Sequence, residues 1–181
     1  MEVSASGDEV RASGQTQEAG AEQLPVAGRP DLPKDYGIPT SEEGQVDWSA
    51  VNGWLEETKV FWIGTTWPDG RPHAIPIWGA WVENKFFFDG SPRTRWARNL
   101  AQNPGIVVHI EKGDVAVMVE GTAEDIVPDA EVHKKVRASY GSRYDYTPEE
   151  GGRMYVVTPR VAFAWDSFPT SVTKFNFGDG R

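Results

Sequence analysis

The chain has 181 residues, 39% of them hydrophobic, with 27 acidic against 18 basic side chains and a formal net charge of −9. That is ample apolar material for one core and thin for two, and the acidic balance disfavours a sequence-independent grip on nucleic acid. Cysteine is absent, which excludes disulfides, thiolate metal sites and a cysteine nucleophile.

Residues 1–46 carry 9 acidic and 3 basic side chains, and Tyr36 is the only one of the 21 aromatics found there. A segment so poor in large apolar groups cannot offset the entropy of ordering its backbone. Residues 1–46 are therefore expected to form a disordered acidic tail, with Leu32-Pro33 and Ile38-Pro39 as candidate contacts, before a single domain over 47–181. No cationic stretch followed by an apolar one marks a secretory signal, and no apolar run approaches the ~20 residues of a membrane span. The expectation is a soluble cytoplasmic protein.

Asp47 is a candidate N-cap, and Trp48, Val51, Trp54 and Leu55 share one face of a helix running to about Thr58. Val60 to Ile63 predicts a strand, followed by a turn at Trp67-Pro68-Asp69-Gly70. The stretch from Pro72 to Trp81 is extended, its prolines pointing to an edge, a bulge or a strand end. Glu83-Asn84-Lys85 turns into Phe86-Phe87-Phe88, which completes an expected three-strand meander. A short helix over Thr94 to Gln102 stops at Asn103-Pro104-Gly105. Ile106 to Glu111 and Val115 to Ala123 read as a hairpin around Lys112-Gly113-Asp114. Asp129 opens a second helix through about Tyr140, with Val132 and Val136 inward. Met154 to Thr158, Val161 to Trp165 and Val172 to Phe177 are further strands. Six or more antiparallel strands with short helices predict a small β-barrel with helical caps.

Three local clusters carry chemical interest. In Ser91 to Leu100 a strand end feeds a helix N-terminus, and Arg93, Arg95 and Arg98 fall within six residues of an otherwise mildly acidic domain. Arginine forks match phosphate or carboxylate oxygens in pairs, and Ser91 or Thr94 can add a hydroxyl, although a solvated basic face is an equal reading. In His73 to Trp81, Pro76 cannot donate to a ladder, which leaves backbone groups available to a planar ligand. In Thr173 to Phe177, alternation puts Lys174 and Asn176 on one face and Phe175 and Phe177 on the other; Lys174 reads first as an edge-protecting charge. His73, His109 and His133 stand singly, without metal-ligand spacing, and no nucleophile elbow, Walker loop or dinucleotide fingerprint occurs.

Taken in order, Asp69-Gly70-Arg71-Pro72, Pro76-Ile77-Trp78, Arg95-Trp96-Ala97-Arg98-Asn99-Leu100, Asn103-Pro104, Val119-Glu120-Gly121-Thr122-Ala123 and Thr173 to Phe177 resemble the flavin/deazaflavin oxidoreductases. That family shares the split barrel of the pyridoxamine 5′-phosphate oxidases. The resemblance covers residues 47 to 177 and implies a mostly β protein, a six-stranded antiparallel split β-barrel with short capping helices. It implies a homodimer with coenzyme F420, a deazaflavin, or FMN at the subunit interface. Arg93, Thr94, Arg95, Arg98 and Asn99 would surround the phosphate, Pro76, Ile77 and Trp78 would pass along the ring system, and Lys174 would border the pocket with Phe175 and Phe177. Two departures matter: Trp96 stands where many relatives have lysine, and the Arg-Leu-His-Asp-Arg type motif that reads pyridoxal phosphate is replaced by Thr-Lys-Phe-Asn-Phe, which argues against vitamin B6 oxidation. The expected activity is hydride transfer from reduced deazaflavin to an unsaturated small molecule, with FMN as the alternative cofactor and non-catalytic flavin or haem binding as a third reading. Hydride transfer needs no protein nucleophile. His73, Tyr140 and Tyr144 are conceivable proton donors that the sequence does not rank above structural roles.

Overall fold

The computed structural model describes residues 24–178. Asp47 caps α1 (Trp48–Glu57) through its backbone, its carbonyl accepting from the Val51 N–H at 3.2 Å while the carboxylate makes no cap bond. The helix buries Trp48, Val51 and Leu55, the stripe expected of an amphipathic surface helix. In β2 (Phe61–Thr66) burial alternates residue by residue, so Phe61, Ile63 and Thr65 face inward while Trp62 faces out. A tight turn at Trp67–Gly70 leads to β3 (Pro72–Ile77), then β4 (Ala80–Val82) and β5 (Lys85–Phe88). Helix α2 (Arg95–Leu100) precedes the long hairpin of β6 (Gly105–Lys112) and β7 (Val115–Ile126). Helix α3 (Ala130–Arg143) starts at Asp129, whose carboxylate accepts from the Val132 N–H at 2.9 Å. β8 (Met154–Trp165) and β9 (Thr173–Asn176) follow, and β1 (Val26–Gly28) precedes them all in the chain.

All pairings are antiparallel, in the order β1-β9-β8-β7-β6-β2-β3, with β5 joining β8 and β4 joining β5. β3 and β4 are consecutive yet do not pair, so the barrel is split between them. Phe61, Ile63, Phe86, Phe88, Val108, Val117, Val119 and Phe175 fill the main core. A second cluster of Phe87, Val136, Tyr140, Met154 and Val156 lies under α3. Each such fully buried side chain contributes about 1.5–3 kcal/mol relative to exposure. Among the described residues no helix is long and apolar enough to cross a membrane.

The mostly β split barrel agrees with the sequence expectation; several details differ. Nine strands rather than six are present among the described residues. The expected meander is absent because the chain breaks at Trp78-Gly79 and sends β4–β5 to β8. The two strands expected on either side of Pro159 are one strand; a bulge at Glu120/Gly121 accommodates the proline, and Gly121 is required there because a Cβ would sit 2.2 Å from the Thr158 carbonyl oxygen. On α3, Val136 is buried and Val132 packs half-buried against the same cluster, as expected; His133 and Tyr140 join them on the inner face, and the helix runs on to Arg143. Of the expected acidic tail, residues 1–23 lie outside the described residues, whereas 24–46 lie against the domain. β1 pairs with β9, the Arg29 guanidinium donates to the carbonyls of Ser41, Glu43, Thr170 and Val172, and Val46 enters the core. Backbone pairing and one arginine supply the order that aromatic burial does not.

Candidate functional site

Among the described residues β3 ends the sheet, with β2 as its sole ladder partner, and Pro76, opposite Trp62, has no N–H to donate. Beside it opens a cleft of about 550 Å³ lined by Val60, Pro76, Ile77, Trp78 and Asp89, a size suited to small molecules and cofactors. Trp78 is 50% exposed, and its indole lies nearly parallel to the Tyr144 ring with centroids 4.8 Å apart.

The last turn of α3 clamps this wall. Tyr140 Oη donates to the Trp78 carbonyl at 3.2 Å. Tyr144 Oη lies 2.8 Å from the Lys59 carbonyl and 2.9 Å from that of Gly79, and accepts from the Gly79 N–H at 3.2 Å. The Arg143 guanidinium donates to the carbonyls of Glu56, Thr58 and Gly79 and to the Ser139 hydroxyl, at 2.6–3.1 Å. Burial draws the Arg143 pKa below the usual arginine value, and the ring of oxygens satisfies its donors. A side chain at Gly79 would place Cβ 2.2 Å from Phe86 Cζ, so only glycine threads between clamp and core. At the cleft's other side Tyr146 Oη donates to Asp89 at 2.5 Å, and that bond pushes the Tyr146 hydroxyl up to about 12. Burial, aided by the Asp89 charge, pushes the Tyr140 hydroxyl upward as well.

Five residues separate Asp89 from Arg95 at the start of α2. Thr94 is the N-cap: its hydroxyl accepts from the Ala97 N–H and donates to the Ser91 carbonyl. The Arg95 guanidinium carbon lies 3.8 Å from the centroid of Trp67, which Arg71 also approaches at 4.5 Å. Stacking occupies the face of the Arg95 guanidinium and leaves its in-plane N–H groups available as donors. Arg98 is exposed and donates to the Arg93 carbonyl at 2.8 Å, and Arg93 is exposed beside it. Asn99 corrects the sequence reading. It is fully buried, its amide donating to Thr65 Oγ1 at 3.0 Å, so it ties α2 to β2 instead of facing an anion. Trp96 is also buried, packed on Phe88 and Tyr155.

The C-terminal cluster divides as alternation requires. Phe175 is 1% exposed and packs on Trp48 within the core, so it does not line a pocket, contrary to expectation; Phe177 packs edge-on against the same indole. Lys174 is half-buried on the outer face. Cross-strand register continues from Pro76 through Trp62, His109, Met118 and Phe163 to Lys174. Five strand spacings make that roughly 24 Å along the sheet, and Lys174 does not line the Pro76 cleft. His109 stacks on Trp62 and His73 meets Trp67 edge-on, while His133 is buried on the inner face of α3 with Nδ1 accepting from the Gly151 N–H. Tyr140 and Tyr144 already direct their hydroxyls at backbone carbonyls, which gives both a structural role. Sequence reasoning missed Val60, Asp89, Arg143 and Tyr146. Asp89 carried a legible signal, a lone acid directly between the triple-phenylalanine strand and the arginine helix.

A protein-family model described as pyridoxamine 5′-phosphate oxidase matches residues 48–166. Among curated proteins none matches the sequence. Of the solved structures, a conserved hypothetical protein from Mycobacterium tuberculosis is similar at 23% identity and a TM-score of 0.59, over 70% of this chain and 88% of that one. An F420 reductase is similar at 23% identity and a TM-score of 0.50, over 70% of this chain and all of its own. A putative pyridoxamine 5′-phosphate oxidase from Listeria innocua gives 12% identity and a TM-score of 0.53, over 66% and 98%. These likenesses are of fold, and the family match spans most of the domain that carries the cleft, the clamp and the arginine helix: the chain belongs to the pyridoxamine 5′-phosphate oxidase family.

Proposed function

We propose that the protein is a cytoplasmic, homodimeric oxidoreductase that holds the deazaflavin coenzyme F420, with FMN as the alternative, along Pro76, Ile77 and Trp78. The observation that carries the reading is the clamped, half-exposed Trp78 wall beside a proline-bearing edge strand, a flat surface of the kind a planar ring system needs. When bound, the reduced group would supply a hydride to an unsaturated acceptor, which would take one proton from water.

The chain's own residues then position and shield. Pro76 keeps its stretch of edge out of a ladder. Tyr140, Arg143 and Tyr144 fix the carbonyls of Trp78 and Gly79, so the wall is preorganised before a ligand arrives. Arg93, Arg95 and Arg98 supply cationic charge for a phosphate, with Arg95 already oriented by Trp67. The fit has one defect: Trp96, buried in the core, contributes no cation. Lys174 does not line the cleft of its own protomer and would reach one across a two-fold axis, which is one reason to propose the dimer. The fold likeness to an F420 reductase supports deazaflavin over FMN.

Titration of each cofactor against the purified protein, followed by quenching of tryptophan emission, tests the proposal. Saturable quenching by F420 at micromolar concentration, lost in Trp78→Ala, is the expected result. Binding of FMN alone moves the assignment to the alternative. Binding of neither removes the enzyme reading.

A further inference from the structure

Among the residues lining the Pro76–Trp78 cleft, Asp89 is the one that carries a charge; Val60, Pro76, Ile77 and Trp78 complete the lining. It leaves β5 directly after three buried phenylalanines and is itself half-buried. Tyr146 Oη donates to Asp89 Oδ2 at 2.5 Å, and among the described residues no cation pairs with the carboxylate. Arg153 shares a smaller cavity of about 320 Å³ with Asp89 and Tyr146, but it is engaged at 3.0 Å by Asp125. The loop that brings Tyr146 is braced by α3: Arg137 donates to the Pro148 carbonyl and to Glu150, and His133 accepts from the Gly151 N–H. One carboxylate oxygen is therefore fixed by a held tyrosine, and Oδ1 has no side-chain partner.

A flat ligand pressed on the Trp78 wall strips water from that carboxylate. An apolar edge would leave the loss uncompensated, so the cleft selects a ring that brings a donor in its own plane. We infer that Asp89 is the specificity-determining acceptor of the cleft, taking the imide N–H that lies between the two ring carbonyls of the deazaflavin or flavin. The inference rests on the oxidoreductase reading above and adds to it the group recognised and the end of the ring that meets Asp89. The imide N–H is the ring donor that F420 and FMN share, and a hydrogen bond to a carboxylate is roughly twice as strong as one between neutral groups. Haem offers nothing equivalent, since iron occupies all its pyrrole nitrogens. Tyr146 acts through Asp89 as a positioning residue. Arg95 follows Asp89 by six residues, so one short stretch of chain would give an acceptor to the ring and donors to the phosphate tail.

The test titrates F420 and FMN into the full chain, each beside its derivative methylated at the imide nitrogen, with quenching of tryptophan emission as the readout. The parent should bind at least about tenfold more tightly than the methylated form. In Asp89→Asn, an isosteric uncharged replacement, the two forms should bind within about threefold of each other, because the parent weakens and the methylated form does not. Asp89→Ala should do the same and keeps the test available if the asparagine variant does not fold. Arg95→Ala should weaken both forms alike and preserve their ratio, which separates the ring contact from general damage to the cleft. Equal affinities in the wild type, or a preference that survives in a folded Asp89 variant, overturn the inference and leave the cofactor reading standing. Binding of neither cofactor, methylated or not, overturns the oxidoreductase reading and this inference with it.

Discussion

At the scale of single residues, helix caps were legible and side-chain destinations were not. Asp47, Thr94 and Asp129 all sit at N-caps, because capping depends on a residue type and its immediate neighbours. Asn99 and Phe175 belong to motifs that read as ligand contacts, yet both point inward, a matter decided by packing of distant strands. Arg143 carried no signal in the sequence; its donors serve carbonyls of two separate segments as well as Ser139. For Arg95, held face-on by Trp67, replacement by alanine should weaken cofactor binding by about 1.5–3 kcal/mol, the range for hydrogen bonds to a charged partner. An unaltered dissociation constant would remove Arg95 from the site. The Tyr146–Asp89 bond makes a pH prediction. Its hydroxyl is raised from 10.0 to about 12, so the stabilisation it gives is whole below pH 10 and disappears as pH climbs through about 12. Urea midpoints should decline across that window in the wild type and decline less in Tyr146→Phe; parallel curves would deny the bond any role in stability.

At the scale of elements, hydrophobic period located α1 and the β6–β7 hairpin, whereas α3, a polar helix without a strong apolar repeat, was located by its start signal at Pro128-Asp129. The period failed where main-chain pairing acts without it. β1 is three residues long with two of them exposed, and nothing in its composition marks a strand; β9 offers an edge, and Arg29 fastens the segment that follows to the loop at Thr170–Val172. The break between β3 and β4 was equally hidden, because a glycine between tryptophan and alanine gives no sign of the Phe86 ring that excludes any Cβ. Arg29→Ala should destabilise the protein by about 1–3 kcal/mol, and each kcal/mol should lower the melting temperature by roughly 2–4 °C in a chain of this size. Removing residues 1–30 should lower it at least as far, whereas removing 1–23 leaves β1 and Arg29 in place. Equal melting temperatures for the two truncations would show that the strap carries no stability.

At the scale of the whole molecule, fold and family were legible because many weak motifs occur in one order, and that order survives when no single motif is specific. The assembly of the site was not, because Lys174 and Pro76 lie at opposite ends of one outer sheet face. That face carries Trp62, 42% exposed, with His109, Met118 and Phe163 in register beside it. On the dimer proposed above, this row would be the face where two copies meet, and a stable contact requires roughly 1,000 Å² or more of total burial. Sedimentation should give a dimer for the wild type and a monomer for Trp62→Asp, with cofactor affinity lost in the monomer. A monomeric wild type that still binds cofactor would remove the two-fold arrangement from the proposal.

Trp96 makes one kind of redesign self-defeating. Its indole occupies a niche bounded by Phe88, Tyr155 and the backbone at Gly90. A lysine installed at position 96 to restore the cation of related proteins would leave that niche hollow, and its amine, walled in by rings, would favour shedding its proton over meeting a phosphate. Positive charge for the proposed ligand's tail has to come from the solvent side instead, where the exposed Arg93 and Arg98 already carry it.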